Sequence, residues 1–285
     1  MTPYLVNGVV IGSIYGLVAL GLVLVYKGTR TLNFAHGEMG MVAAFTVFSL
    51  WGNRHWPYLP VVVIGLAISA LIGLAMDRFV MRRTQHYPRL TVLVATLAIA
   101  SVIQFFAIRI WGGEPKFLAP PLQGSGIAFG QVVLTPPRLI SLITSAVAAL
   151  GLYLFFRGTH AGLTFRAVAV DPYAARLMGV NVERVSATTW AAAAALSGLA
   201  AIVVAPLVSF HVFFMVLLLI RALAAALIGG LTNFGGAYVA ALLLGVGESV
   251  VSKYVNAPGA LEAIIFGAIA VTLVLRPRGL FAAEY

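Results

Sequence analysis

Long uncharged apolar runs alternate with short basic segments along this chain. No Asp, Glu, Lys or Arg occurs from Met1 to Tyr26, His55 to Met76, Leu90 to Ile108, Leu139 to Phe156 or Val185 to Ile220. Each run is near or above the roughly 20 residues that carry a helix across a bilayer. Apolar residues surround these segments on every side instead of alternating, which points to helices and away from a β-barrel. The pattern predicts an all-α polytopic membrane protein with about nine crossings, eight and ten remaining open. Their approximate bounds are 4–26, 37–52, 59–77, 90–110, 138–156, 186–208, 211–230, 234–253 and 258–275. Residues 1–285 read as one membrane-embedded domain, with the polar segment 157–185 as a loop within it.

Composition agrees. Of 285 residues 61% are hydrophobic and 9% charged, against about 25% charged in a soluble domain. The net charge of +10 comes from basic loops that set orientation in the membrane. With loops 27–36, 78–89 and 157–185 and the tail after 275 on the cytoplasmic side, that side holds Lys27, Arg30, Arg78, Arg82, Arg83, Arg89, Arg157, Arg166, Arg176, Arg184, Arg276 and Arg278. The opposite side holds Arg54, Arg109, Lys116, Arg138 and Lys253. The bias places the N-terminus outside and the C-terminus inside. No basic run is interleaved with aromatics, so nucleic acid is not an expected partner. Cysteine is absent, which removes disulfides and thiol ligands. The first apolar run lacks a basic n-region and a small-residue cleavage site, so no cleavable signal is expected. The loop 111–137, rich in Gly and Pro, lies outside in this scheme, as a lid or as a segment dipping into the membrane.

Arg157 to Arg184 is the longest polar interruption, and it carries folding signals. Pro172 follows Asp171 as at a helix start, and Gly179 is placed to end that helix. The break predicts two short helices meeting at an angle. As an amphipathic pair they suit a lipid surface; as a docking element they suit a cytoplasmic partner. The positions Phe165, Val168, Ala169, Ala174, Ala175, Leu177 and Met178 give small-residue faces that fit a groove in a protein better than lipid. Elsewhere, Asn33 is a candidate helix cap and Glu38 suits a helix N-terminus, while Asn33, His36 and Glu38 together are candidates for a polar path through the membrane. Arg221, Glu248 and Glu262 also interrupt apolar runs, and Arg221 pairing with Glu248 is expected. The segment 209–234 around Arg221 reads as a broken or re-entrant element. His211 belongs at the outer surface. Thr31–Met39 (TLNFAHGEM) and Leu231–Tyr238 (LTNFGGAY) hint at an internal repeat. No metal cluster is expected, and neither a phosphate-cradling loop nor a hydrolase motif is present, so any ATP-driven step needs another polypeptide and no cofactor is expected here.

The segment GLTFRAVAVDPYAARLMGV (162–180) resembles the cytoplasmic coupling loop of permeases in branched-chain amino-acid ABC importers. LNFAHGE (32–38), ALIGGLTNFGG (226–236) and RPRGLF (276–281) resemble further motifs of that family, in the same order. The absence of soluble additions is similar to the smaller of the two permeases in such systems. The resemblance implies a type II ABC importer-like fold with cytoplasmic coupling helices at 160–184. It implies a multi-pass protein of a prokaryotic inner membrane. Its implied partners are a second, homologous permease, two cytoplasmic P-loop ATPase subunits and an extracytoplasmic substrate-binding protein, besides membrane lipid. It implies an ATPase-coupling role for Arg166, Ala167, Asp171, Pro172, Ala175, Arg176 and Gly179, and a central path between two permeases, for which the polar residues Asn33, His36, Glu38 and Arg221 are the expected translocation-path residues. Arg221 stands where the family more often has lysine, which leaves the substrate open among amino acids, urea, short amides and aromatic acids. The competing expectation is a stand-alone secondary transporter or channel for small polar solutes.

Overall fold

Helix α1 (Thr2–Thr29) is the spine of the bundle, buried without interruption from Gly12 to Val25. This is a computed structural model, and it describes residues 1–84, 87–122, 124, 126–129, 132–254, 259–276 and 279–281. Glycines let α1 meet its neighbours at backbone distance. A Cβ placed on Gly245 would lie 2.3 Å from the Gly12 nitrogen and 2.5 Å from the Gly8 carbonyl oxygen. Such small-residue contacts replace the hydrophobic drive that lipid removes.

After Thr29 the chain reverses at Arg30, whose φ is 56°, and climbs back into the bundle. Asn33 Oδ1 accepts from the Ala35 amide at 3.0 Å, and the Phe34 amide donates to Thr96 Oγ1 at 3.2 Å. The next helix, α2 (His36–Val47), therefore begins with the His36 ring against Gly21. Gly21 lies two turns, about 12 Å, from the end of α1. The crossing expected at 37–52 is thus a short helix that starts deep inside and ends in a π-turn at Phe48–Gly52.

The remaining order is α3 (Tyr58–Ala75), a π-turn (Met76–Met81), α4 (Arg82–Thr84), α5 (Arg89–Trp111), β1 (Ile127–Phe129), β2 (Val132–Leu134), α6 (Pro136–Gly158), α7 (His160–Val170), α8 (Pro172–Leu177), α9 (Val182–Val204), α10 (Phe214–Gly229), α11 (Phe234–Tyr254) and α12 (Ala260–Leu275). Among the described residues, six helical segments are long and apolar enough to cross a membrane: α1, α3 through α4, α5, α6, α9 and α11. α2, α10 and α12 are shorter, with 12, 16 and 16 residues. The expected all-α class needs one correction, since β1 and β2 pair antiparallel as a small hairpin.

Two faces result. The turn after α1, the α7–α8 pair and the segment 279–281 share one face, joined by Arg30 Nη2 donating to the Ala169 carbonyl at 3.3 Å and the Leu280 amide donating to the Ile228 carbonyl at 2.7 Å. We refer to it as the basic face. The hairpin and the N-terminal end of α1 lie toward the opposite face. The core between them is partly aromatic, with the Phe45 ring 5.2 Å from Trp111 and 5.0 Å from Phe210. Outward sides of α3, α5 and α6 expose Val63, Leu71, Val94, Phe105, Val147 and Leu154. An apolar belt of that kind belongs in lipid.

Candidate functional site

On the basic face α7 and α8 form a kinked knob, and local sequence specifies each bend. Thr159 Oγ1 caps α7 by accepting from the Gly162 amide at 2.9 Å. Asp171 Oδ1 caps α8 by accepting from Tyr173 and Ala174 amides at 2.8 and 3.0 Å, with Pro172 in the first turn. Gly179 takes φ 84° to leave α8, and Asn181 Oδ1 caps α9 through the Arg184 amide at 2.8 Å. Three successive helices thus receive the side-chain acceptor that an N-terminus needs.

The knob's apolar residues divide by direction. Phe165, Val168, Ala169 and Ala175 are buried and anchor it to the bundle, Phe165 through its ring 4.6 Å from Phe156. Val170, Tyr173, Leu177 and Met178 project, with Tyr173 70%, Leu177 73% and Met178 85% exposed. This corrects the sequence expectation that Phe165, Val168, Ala169 and Ala175 present an outward face. Arg166, Ala167, Asp171, Pro172, Arg176 and Gly179 are exposed on the knob.

Polar contacts tie the knob to the bundle. Arg176 pairs with Glu183 at 2.5 Å. Arg82 donates to the Glu183 carbonyl at 3.0 Å and pairs with Asp77 at 2.9 Å. Asp77, fully buried in the π-turn, also accepts from Ser186. Sequence reading missed Asp77 because one carboxylate at the edge of an apolar run gives no signal of its partners.

The polar residues entering α2 are sealed inside. Asn33, His36 and Glu38 are buried. Ser197 Oγ donates to the His36 carbonyl at 2.6 Å, and Gln104 Nε2 donates to Glu38 Oε1 at 2.8 Å. None of the three lines either of the two large cavities. Arg221 is elsewhere, near the middle of α10, and the break expected around it falls before the helix, at 205–213. His211 Nδ1 accepts from the Phe213 amide in that loop. In the two similar segments the Asn side chains bond differently: Asn33 Oδ1 accepts from the Ala35 amide, two residues on, whereas Asn233 Oδ1 accepts from the Gly236 amide, three residues on, at 3.1 Å, and Asn233 Nδ2 donates to the Phe281 carbonyl on the basic face.

A cavity of about 740 Å³ opens toward the hairpin face between α1, α6, α10 and α11, bordered by Pro120, Leu122, Gly124 and residues 206–208. The expected Arg221–Glu248 pair stands in its wall at 3.2 Å, the two side chains 22% and 10% exposed. Tyr15, a third member that sequence reading missed, accepts from Arg221 Nη1 at 3.1 Å and donates to Glu248 Oε2 at 2.8 Å. A neutral phenol within an apolar run carries no sequence mark. A second cavity, about 610 Å³, lies under the knob and includes Lys27, Arg30 and Pro172. The Glu262 side chain and Arg278 lie outside the described residues. Among the described residues no group of three His, Cys, Asp or Glu side chains is placed to hold a metal.

A helical bundle that is apolar toward lipid, carries a charged cavity on one side and holds out a kinked helical pair on the other has the make-up of a membrane transport protein. The chain belongs to the family described as "Branched-chain amino acid transport system / permease component", whose profile matches residues 4–274. It is thus a permease component and not itself an enzyme. It is 27% identical over 290 residues to the high-affinity branched-chain amino acid transport system permease protein LivH of Salmonella typhimurium, spanning 96% of this chain and 93% of that one. LivH of Escherichia coli K12 is 26% identical over the same shares. The corresponding protein BraD of Pseudomonas aeruginosa is 27% identical, over 97% of this chain and 94% of its own. A chain in the structure of PsaBC from Streptococcus pneumoniae in complex with Fab aligns over 97% of this chain and 92% of its own length, with TM-score 0.48 and 14% identity.

Proposed function

We propose that this chain is the membrane-spanning subunit of an ATP-driven importer that moves branched-chain or related amino acids across a prokaryotic inner membrane. It works with a second, homologous permease, two cytoplasmic P-loop ATPases and an extracytoplasmic binding protein that brings the solute. Nine crossings, three of them by the short helices α2, α10 and α12, put the N-terminus outside and the basic face in the cytoplasm. Arg166, Ala167, Asp171, Pro172, Arg176 and Gly179 shape the coupling knob, Ala175 anchors it, and Arg221 borders the solute route. For Asn33, His36 and Glu38, the burial inside one subunit favours a part in holding α2 at depth.

The observation that carries this reading is the exposure of Tyr173, Leu177 and Met178 on a capped, anchored knob. Exposed Tyr and Met side chains are of the types enriched at protein interfaces, where a Tyr anchor contributes about 2 kcal/mol or more at a binding centre. The test is co-purification of the chain with its ATPase subunits. The double variant Leu177→Asp, Met178→Asp is expected to lose at least about 90% of the bound ATPase while its own melting temperature stays unchanged. Full ATPase retention by the variant overturns the docking role.

A further inference from the structure

Removing an ion from water costs several kcal/mol before a partner offsets it, and apolar residues of similar volume often hold a fold as well as a buried pair does. Closing the bundle therefore does not require Arg221 and Glu248. Three separate helices, α1, α10 and α11, bring Tyr15, Arg221 and Glu248 to one point, and all three line the larger cavity. Around them the wall carries aliphatic Ile11, Ile14, Leu207 and Leu218, with Asn7, Thr135 and Arg138 also on the lining. We infer that this cluster is a transient subsite for a zwitterionic aliphatic amino acid, with its α-carboxylate on the Arg221 guanidinium and its α-ammonium on the Glu248 carboxylate. The inference rests on the amino-acid transport proposed above and adds a solute-reading role for this chain.

The chemistry is an exchange of ion pairs. A guanidinium offers a planar fork of donors that matches a carboxylate. An incoming carboxylate takes the side of the fork now held by Glu248. The displaced Glu248 accepts from the ammonium, and the Tyr15 hydroxyl, able to donate and accept, keeps contact with both. Within the Arg221–Glu248 cluster each charge has an opposite partner before and after. No ion is stranded at either stage, so solute leaves readily. The internal pair competes with the solute, which keeps affinity weak, with a Kd of about 1 mM. A solute lacking one of the two charges breaks the Arg221–Glu248 pair without replacing both of its halves, and is rejected for that reason.

The chain has no cysteine, so Leu218→Cys, one turn from Arg221 on α10, puts a single thiol in the cavity wall. The experiment follows maleimide labelling of this full-length variant in lipid nanodiscs. L-leucine at about 10 mM is expected to slow labelling about tenfold. 4-Methylpentanoate, which lacks the ammonium, and 3-methylbutylamine, which lacks the carboxylate, are expected to leave the rate unchanged. Adding Arg221→Gln or Glu248→Gln is expected to abolish the protection. The apolar pair Arg221→Met, Glu248→Met keeps the helices packed and is expected to label at the unprotected rate with or without leucine. The subsite is overturned if leucine gives no protection, if either analogue protects equally, or if protection survives in the double-methionine variant. ATP-driven uptake by the reconstituted complex reads the importer proposal separately. Protection without uptake keeps the subsite and removes the importer, and uptake without protection does the reverse.

Discussion

Along α1, Leu17, Leu20 and Leu24 are enclosed almost completely, while on the knob Leu177 and Met178 stand largely bare. Both regions are helical, and both use small and large apolar residues. They differ in where the large residues go. On α1, Gly8 and Gly12 admit the backbone of α11, and the large side chains fill what remains. On the knob, Phe165 and Val168 face the bundle beside Ala169 and Ala175, while Val170, Tyr173, Leu177 and Met178 project outward. Apolar character by itself therefore says nothing of role in this chain. The enclosure or exposure of the large side chains separates a region that holds the fold from one that reaches beyond it.

Gly245→Val strikes the holding region and has the largest expected effect. The added side chain has no space against Gly12, so α1 and α11 must separate at a cost of about 3 kcal/mol. The expected outcome is a broad, aggregated size-exclusion profile in detergent; a sharp peak with unchanged melting contradicts the packing described. Asp171→Ala strikes the reaching region and is milder. Loss of the α8 cap costs about 1 kcal/mol locally, visible as faster amide exchange at Tyr173 and Ala174 with the bundle's melting unaltered. Asp171→Asn retains a capping oxygen and should restore the wild-type exchange rates, so failure of that rescue means the charge itself matters. Glu38→Gln sharpens the comparison from inside the core. Its amide oxygen can still accept from Gln104, so stability should shift by about 1 kcal/mol or less, and uptake should persist at near wild-type rate. Loss of uptake at unchanged stability returns Glu38 to the solute route.

The sequence showed most of the long helices to within a few residues, because uncharged run length is a direct measure of a span. Expected crossings at 90–110 and 138–156 correspond to Arg89–Trp111 and Pro136–Gly158. Depth was not legible. Hydropathy treats His36–Val47 as one more apolar stretch, and only the reversal at Arg30 and the contact of His36 with Gly21 place its start inside the bundle. The knob's bends were readable from Asp171, Pro172 and Gly179, since caps are local chemistry. Which of its residues face inward was not, because helices of 11 and 6 residues take their orientation from tertiary contacts such as Phe165 on Phe156. The Arg221–Glu248 pairing could be anticipated from two opposite charges in apolar runs. The cavity beside it, and Tyr15 within the cluster, depend on how α1, α10 and α11 come together.

The central claim is that the knob projects into the cytoplasm and seats in an ATPase. The most direct measurement is labelling of Met178→Cys, a single thiol in a cysteine-free chain, with a membrane-impermeant maleimide. The account predicts labelling in inside-out vesicles, none in intact cells, and protection when the ATPase subunits are bound. Labelling from outside intact cells, or an unprotected thiol in the assembled complex, would contradict it.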